Sequence, residues 1–145
     1  KPPPTFDPTS LTGKKGSGQI HILLQQFNSA KEAKLSVDKF LGYFKVLEKA
    51  YAQGRGGNLF AALRQSDDLF SVVREVLRSP SSDNEPMNHG EFEAFIKNLI
   101  RIRDNCAHLR GKTGYAPSDP RIQTEVSPHV DVLGIIAQKV VERHL

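Results

Sequence analysis

The chain has 145 residues, of which 38% are hydrophobic and 25% charged, and its formal net charge is +4. This length is typical of one domain that buries an ordinary hydrophobic core, and the composition excludes a chain that is disordered throughout. The small positive charge is compatible with nucleic-acid binding but does not by itself indicate it.

The cysteine, histidine and apolar content narrows the class of protein further. The single cysteine, Cys106, excludes an internal disulfide, and no cysteine or histidine pair has the spacing of a structural zinc site. We therefore expect an intracellular, reducing compartment and a site without a metal or other cofactor. No apolar run is long enough to span a membrane, and the first residues lack the apolar stretch of a signal peptide. Because the chain begins with Lys1 rather than methionine, we expect it to be part of a larger polypeptide.

The first third of the chain divides into a polar tail and a helical region. Residues 1–18 are rich in proline, glycine, lysine, serine and threonine, so we expect a disordered tail or linker that cannot offset the entropy lost on ordering. From Gln19 to Tyr51, apolar residues recur at intervals of three and four, which predicts one long amphipathic helix or two in series. Ser29 and Glu32 have the spacing of a capping box, which favours a break at Ser29.

The middle of the chain predicts a second helical region, a loop and a third helix. Apolar periodicity resumes after Asn58 and is interrupted by polar residues near Ser66, whose side chain suits the cap of a new helix. Residues 79–86 are rich in serine, proline, aspartate and asparagine and predict a loop. The third helix extends from about Gly90 to Arg110, with acidic residues at its start and basic residues at its end, an order that suits the helix dipole.

The last part of the chain predicts a loop and a final helix. Residues 111–126 contain glycine, threonine and two prolines and predict a surface loop close to the third helix. Ser127 and Pro128 have the residue types of an N-cap and a first helical position, so they predict the start of a final amphipathic helix. No segment alternates as a strand does. The fold prediction is therefore an all-α bundle of four or five helices over residues 19–145.

One segment near the end of the third predicted helix combines residues that are common in active sites. It is Arg103-Asp104-Asn105-Cys106-Ala107-His108. An imidazole titrates near neutrality, so a histidine can act as an acid or a base at physiological pH. A guanidinium stabilises charge on phosphate oxygens. Together these are the groups that a ribonuclease needs when it has no metal.

Helical geometry separates these two groups. At about 100° per residue, Arg103 falls within an arc of apolar residues, whereas His108 lies about 140° away on the polar side. Two explanations are open. Either Arg103 extends past the edge of the core or pairs with a carboxylate such as Glu32 or Asp38, and its role is structural. Or the helix lies against its two-fold mate in a homodimer, where the arginines and histidines of both copies converge in a shared cleft.

The chain here resembles the HEPN superfamily of all-α domains, whose ribonuclease members carry an arginine and a histidine separated by four to six residues. Four residues separate Arg103 from His108, and Asp104 takes the polar place that often follows the arginine. The segment from Ile96 to Asp104 is also similar to the kinase-extension nuclease branch, which more often has asparagine after the arginine. The resemblance covers the motif helix, and the remaining bundle matches by pattern alone.

This resemblance implies metal-independent RNA cleavage by a homodimer, an endoribonuclease in which the ribose 2′-hydroxyl attacks its own phosphate and leaves a 2′,3′-cyclic phosphate. His108 would then be the general acid or base, and Arg103 would stabilise the charge on the phosphate oxygens. Asn105 or Asp104 would orient the imidazole, since Asp104 lies one helical turn before His108.

Other basic and aromatic residues near the motif are candidates for RNA binding. They are Lys97, Arg101, Arg110, Lys112 and Tyr115, of which Tyr115 has a ring that suits base stacking. Arg101 is an alternative to Arg103 as the functional arginine. Six residues separate Arg101 from His108, and these two positions lie on the same face of the helix. We favour Arg103, since its place within the apolar arc needs an explanation.

A different class of function remains open. The alternative is a noncatalytic helical module that binds a partner protein or RNA, or that mediates dimerisation, with Arg103 at the interface. The two classes differ in whether His108 does chemistry.

Overall fold

The computed structural model of the chain describes residues 17–52, 58–79, 82–110 and 120–145, and for Ser17, Asp83 and residues 107–110 it describes the backbone alone. These residues form six helices and one two-stranded antiparallel sheet. The elements in chain order are α1 (Ser17–Glu32), α2 (Ser36–Tyr51), α3 (Leu59–Arg64), α4 (Asp67–Val76), β1 (Arg78–Ser79), β2 (Ser82–Pro86), α5 (His89–Arg110) and α6 (Pro120–Arg143).

The predicted all-α fold is confirmed, and the first helical region is two helices in series. The predicted break at Ser29 is wrong, because Ser29 lies inside α1 and its carbonyl accepts a hydrogen bond from the amide of Ala33 at 3.2 Å. The junction comprises residues 33–35, beside which the Lys39 ammonium of α2 donates to the carbonyl of Lys31 at 2.5 Å. A cation near the last carbonyls of a helix stabilises that end. Residues 1–16, most of the predicted tail, lie outside the described residues.

The second helical region divides into α3 and α4 as the polar interruption predicts. The hydroxyl oxygen of Ser66 accepts a hydrogen bond from the Leu69 amide at 3.1 Å, which confirms the predicted cap. The amide oxygen of Asn58 caps α3 in the same way, accepting from the Ala61 amide at 3.0 Å.

A short sheet replaces part of the loop that was predicted for residues 79–86. Strands β1 and β2 pair antiparallel, and the Ser79 hydroxyl donates to a carboxylate oxygen of Glu91 at 2.7 Å. Glu91 and Asn88 also form a reciprocal capping box, with each backbone amide donating to the other side chain at 2.8 and 2.9 Å. Polar turn residues therefore predicted the interruption of helix correctly, but neither the strand pairing nor the Ser79–Glu91 hydrogen bond that attaches the sheet to the start of α5.

The final helix begins earlier than the sequence suggested. Residues 120–126 belong to α6, so the loop prediction is wrong for them, and residues 111–119 lie outside the described residues. Pro128 is inside the helix rather than at its start. The side chains of Ile122 and Val126 are buried, which extends the apolar face of α6 to the N-terminal side of the proline. Their packing outweighs the helix-starting preference of the Ser127-Pro128 pair.

The buried side chains of all six helices form one cluster, in which α2 lies against α1 and α6. Helices α1 and α2 approach closely at Gly42, where a β-carbon would lie 2.5 Å from the β-carbon of Ala30. The large apolar side chains exposed on the described surface are Ile22, Ile135 and Leu145. Among the helices that the structure describes, none combines the length and apolar character that a membrane crossing requires.

A polar cluster joins the ends of α2, α4 and α6. The Tyr51 hydroxyl donates to one oxygen of Asp68 at 2.5 Å, and Arg143 donates to the other at 2.8 Å. Arg143 also donates to Ser71 at 2.9 Å and to Glu75 at 3.4 Å. Burial, followed by the hydrogen bond to Asp68, raises the pKa of Tyr51 well above its ordinary value, while Arg143 opposes the rise.

We predict that Gly42→Ala destabilises the protein by about 1–3 kcal/mol, although alanine is the better helix former, because the added methyl has no room against Ala30. Gly18→Ala is the matched control, since a β-carbon there meets nothing within 4 Å. The control should leave the free energy of unfolding in urea unchanged or raise it by up to about 1 kcal/mol. A stability gain in both variants would contradict the close packing of α1 and α2.

We also predict a specific loss of stability at high pH. The folded-state pKa of Tyr51 lies above its unfolded value of 10.0, so the contribution of the phenol is complete below pH 10.0 and is lost as pH rises beyond it. The difference in unfolding free energy between wild type and Tyr51→Phe should therefore stay constant up to about pH 9 and shrink between about pH 10 and about pH 12. A difference that stays constant across this range would contradict the assignment; Tyr43, whose pKa burial also raises, is present in both proteins and cancels.

Candidate functional site

Helix α5 positions the motif by burying one face and exposing the other. Its buried residues are Phe92, Ile96, Leu99, Ile102 and Cys106, all at most 2% exposed. They recur every three or four residues, which confirms most of the predicted apolar arc and identifies Cys106 as a core residue. The buried face fixes the rotation of α5 about its axis, so the surroundings of each motif residue follow from it.

Arg103 lies at the edge of this buried face. Its side chain is 33% exposed, and the carbon at the centre of its guanidinium lies 5.8 Å from the centre of the Phe44 ring on α2. One nitrogen donates to the carboxylate of Asp104 at 2.7 Å, and another lies 3.7 Å from a carboxylate oxygen of Glu48. The guanidinium therefore lies over an aromatic ring and beside two carboxylates, so the charge of an arginine in an apolar arc is compensated.

The carboxylates beside Arg103 differ from those expected. The sequence suggested Glu32 or Asp38, whereas the structure gives Glu48 and the adjacent Asp104. Arg103 and Asp38 line the same surface cavity of about 420 Å³, whose walls come from α1, α2 and α5. The observed ion pairs lie within a single copy and correspond to the explanation in which Arg103 pairs with carboxylates at the edge of the core.

Arg101 and Asn105 form a second polar group on the exposed face of α5. Arg101 donates to the side-chain oxygen of Asn98 at 3.0 and 3.2 Å and to a carboxylate oxygen of Glu125 at 3.4 Å. The Asn105 amide donates to the same Glu125 oxygen at 3.3 Å. Among the described side chains, the expected orienting residue Asn105 thus faces α6, where Glu125 lies within the segment that was predicted as a loop.

Of the remaining predicted site residues, Lys97 has a described side chain and the others do not. The Lys97 ammonium lies 5.9 Å from the centre of the Phe60 ring on α3, at an exposed position four residues before Arg101. His108 and Arg110 lie in α5, but their side chains are outside the described residues. Lys112 and Tyr115 are also outside the described residues.

In the described part of the site, the Arg103 guanidinium lies between the exposed carboxylate of Asp104 and the partly buried carboxylate of Glu48. Within the described ranges, no group of three or more histidine, cysteine, aspartate or glutamate side chains is arranged to hold a metal ion. The Asp104 side chain is 58% exposed, and an ion pair to such a carboxylate contributes about 0–1 kcal/mol, so a phosphate can replace this carboxylate at the guanidinium at little cost. Sequence reasoning missed Glu48, Phe44 and Glu125 because helix packing, not local pattern, brings them to α5.

We predict that Arg103→Ala lowers the free energy of unfolding by about 1–2 kcal/mol, because it removes the cover of Phe44 along with two ion pairs. Arg101→Ala is the control, since its side chain is 57% exposed and makes polar contacts only at the surface. That change should stay within about 0.5 kcal/mol in the same urea titration. Equal effects of the two substitutions would argue against a packing role for Arg103.

Comparison with known proteins gives no independent identification. The chain matches no family model, no curated protein and no solved structure.

Proposed function

We propose that this chain is a metal-independent endoribonuclease domain that acts as a homodimer, with Arg103 and His108 of the two copies at a composite site. The observation that supports this most is the position of the Arg103 guanidinium. It is hydrogen-bonded to Asp104 at 2.7 Å and is therefore at the surface rather than in the core. Position 108 lies one helical turn after Asp104 on α5, so the hydrogen bond to Asp104 directs the guanidinium towards the side of the helix on which position 108 lies.

The exposed face of α5 supports the dimer. The side chains of Arg101 and Asp104 are 57% and 58% exposed, so this face of α5 is accessible to a second molecule. A two-fold axis beside α5 would place the same face of both copies together, because an isologous interface uses one surface twice. The shared cleft would then contain two arginines and two histidines, and the angle between them on one helix would no longer matter.

The chemistry in this proposal is an internal transesterification. His108 takes the proton from the ribose 2′-hydroxyl, the 2′-oxygen forms a bond to phosphorus, and the bond from phosphorus to the 5′-oxygen breaks. The leaving 5′-oxygen takes a proton from a protonated imidazole, and the product strand ends in a 2′,3′-cyclic phosphate. Arg103 exchanges a carboxylate for the phosphate oxygens, on which negative charge increases in the transition state.

A second candidate is a noncatalytic helical module that binds RNA or a protein. The observation that favours it is the neutralisation of Arg103 by Glu48 and Asp104, since an arginine between two carboxylates suits a structural role. In this case the guanidinium fixes α5 against α2, and His108 does no chemistry.

We predict RNA cleavage in the presence of EDTA that His108→Ala lowers by at least about 100-fold, because the substitution removes the acid and base. End-group analysis of the products should find 2′,3′-cyclic phosphate. Arg103→Ala should lower the rate more than Arg101→Ala, and the specific activity should rise with protein concentration until the dimer is fully formed.

Two results would count against the enzyme. Cleavage that His108→Ala leaves unchanged would come from another source, and a chain that cleaves no RNA at any concentration would favour the noncatalytic module. A strictly monomeric mass in solution would remove the composite site even if RNA binds.

A further inference from the structure

A groove along the outer face of α1 adjoins the cavity that Arg103 lines. The groove has a volume of about 690 Å³, and Gln26 and Ser29 line both spaces, so the two meet at the seam between α1 and α2. This volume falls within the range of about 300–1,000 Å³ that is usual for small-molecule sites. An RNA strand with a phosphate at Arg103 would therefore pass next to this groove.

The groove combines an apolar surface with amides and a cation. Ile22 lies in its lining and is 49% exposed, an unusual position for a large apolar side chain on this surface. Gln19 and Gln25 bring exposed amides to the same lining, and each amide offers both donors and an acceptor. Lys49 also lines it and is held by Gln26, whose side-chain oxygen accepts from the lysine ammonium at 3.1 Å.

These features match the parts of a nucleotide better than those of a peptide or a lipid. A base has a flat apolar face and an edge of donors and acceptors, and its strand carries phosphates that pair with lysine. Gln26 is fixed at the seam because its amide also donates to the carbonyl of Gly42 at 3.3 Å. Gln26, which separates the groove from the cavity, therefore belongs to α1 and is hydrogen-bonded to α2. This arrangement suits a site with one compartment for a base and one for a phosphate.

We propose that the groove on α1 binds a nucleobase of the RNA strand whose scissile phosphate lies at Arg103. The proposal rests on the ribonuclease function proposed above and adds to it a base-binding compartment, in which the base lies against Ile22 and its edge meets Gln19 or Gln25. This compartment would set which nucleotide lies next to the cleaved bond.

Two isoleucines of equal exposure allow a matched test. Ile22 and Ile135 are both 49% exposed, on α1 and α6 respectively, and changing either to aspartate adds the same charge to the protein. The experiment uses the full chain with His108→Ala to prevent cleavage, and measures the anisotropy of a short fluorescein-labelled single-stranded RNA in EDTA. Ile22→Asp should weaken binding about fivefold or more, while Ile135→Asp should change it less than about twofold.

Each outcome has a distinct meaning. If the His108→Ala parent binds the RNA and both aspartate variants bind it equally well, the groove is not the base compartment and this inference alone fails. If the parent binds no RNA, the proposed function fails first.

Gln25→Ala is a second variant, which adds no charge and should weaken RNA binding about twofold or more. Circular dichroism of every variant should match the His108→Ala parent, because the changed side chains are exposed.

Discussion

The position of α2 between α1 and α6 is the constraint on which the rest of the structure depends. Four of its residues each meet a different neighbour: Gly42 approaches α1, Phe44 lies beneath the arginine of α5, Tyr51 reaches α4, and Tyr43 lies so close to Gly134 of α6 that a β-carbon there would be 3.0 Å from its ring. A rotation of α2 by one residue would turn all of these side chains through about 100° and break the contacts together. The site on α5 therefore inherits its geometry from a helix that carries none of the motif residues.

Much of the fold could be predicted from the sequence because its signals are local. Apolar spacing identified the helical regions, and Ser66 identified the start of α4 through the type of its side chain. The predictions failed where packing over long distances decides the outcome. Ser29 has capping chemistry but is inside α1, and Pro128 has helix-starting chemistry but lies within α6, because Ile122 and Val126 are buried ahead of it.

In the candidate site, too, the sequence predicts local features but not contacts between helices. The buried face of α5 and the unusual place of Arg103 could be predicted from periodicity alone. Its partner Glu48 could not, since nothing in the sequence near either residue relates two positions on different helices. In the proposed ribonuclease Arg103 would exchange the exposed carboxylate of Asp104 for a phosphate, while the Phe44 ring beneath the guanidinium keeps it next to α2. A structural role and a phosphate-binding role are thus compatible in one side chain, and the chemistry of His108 is what separates an enzyme from a binding module.

Glu125 gives the exposed face of α5 a property that no single contact shows. One of its oxygens accepts from both Arg101 and Asn105, so the early turns of α6 are tied to α5 through two donors that point at one anion. Any other anion that takes these donors displaces the carboxylate, and the tie between the two helices is released at the same time. The Glu125 carboxylate and an external anion therefore compete for the same two donors, while the buried side chains of Ile122 and Val126 still hold the first turns of α6 against the core.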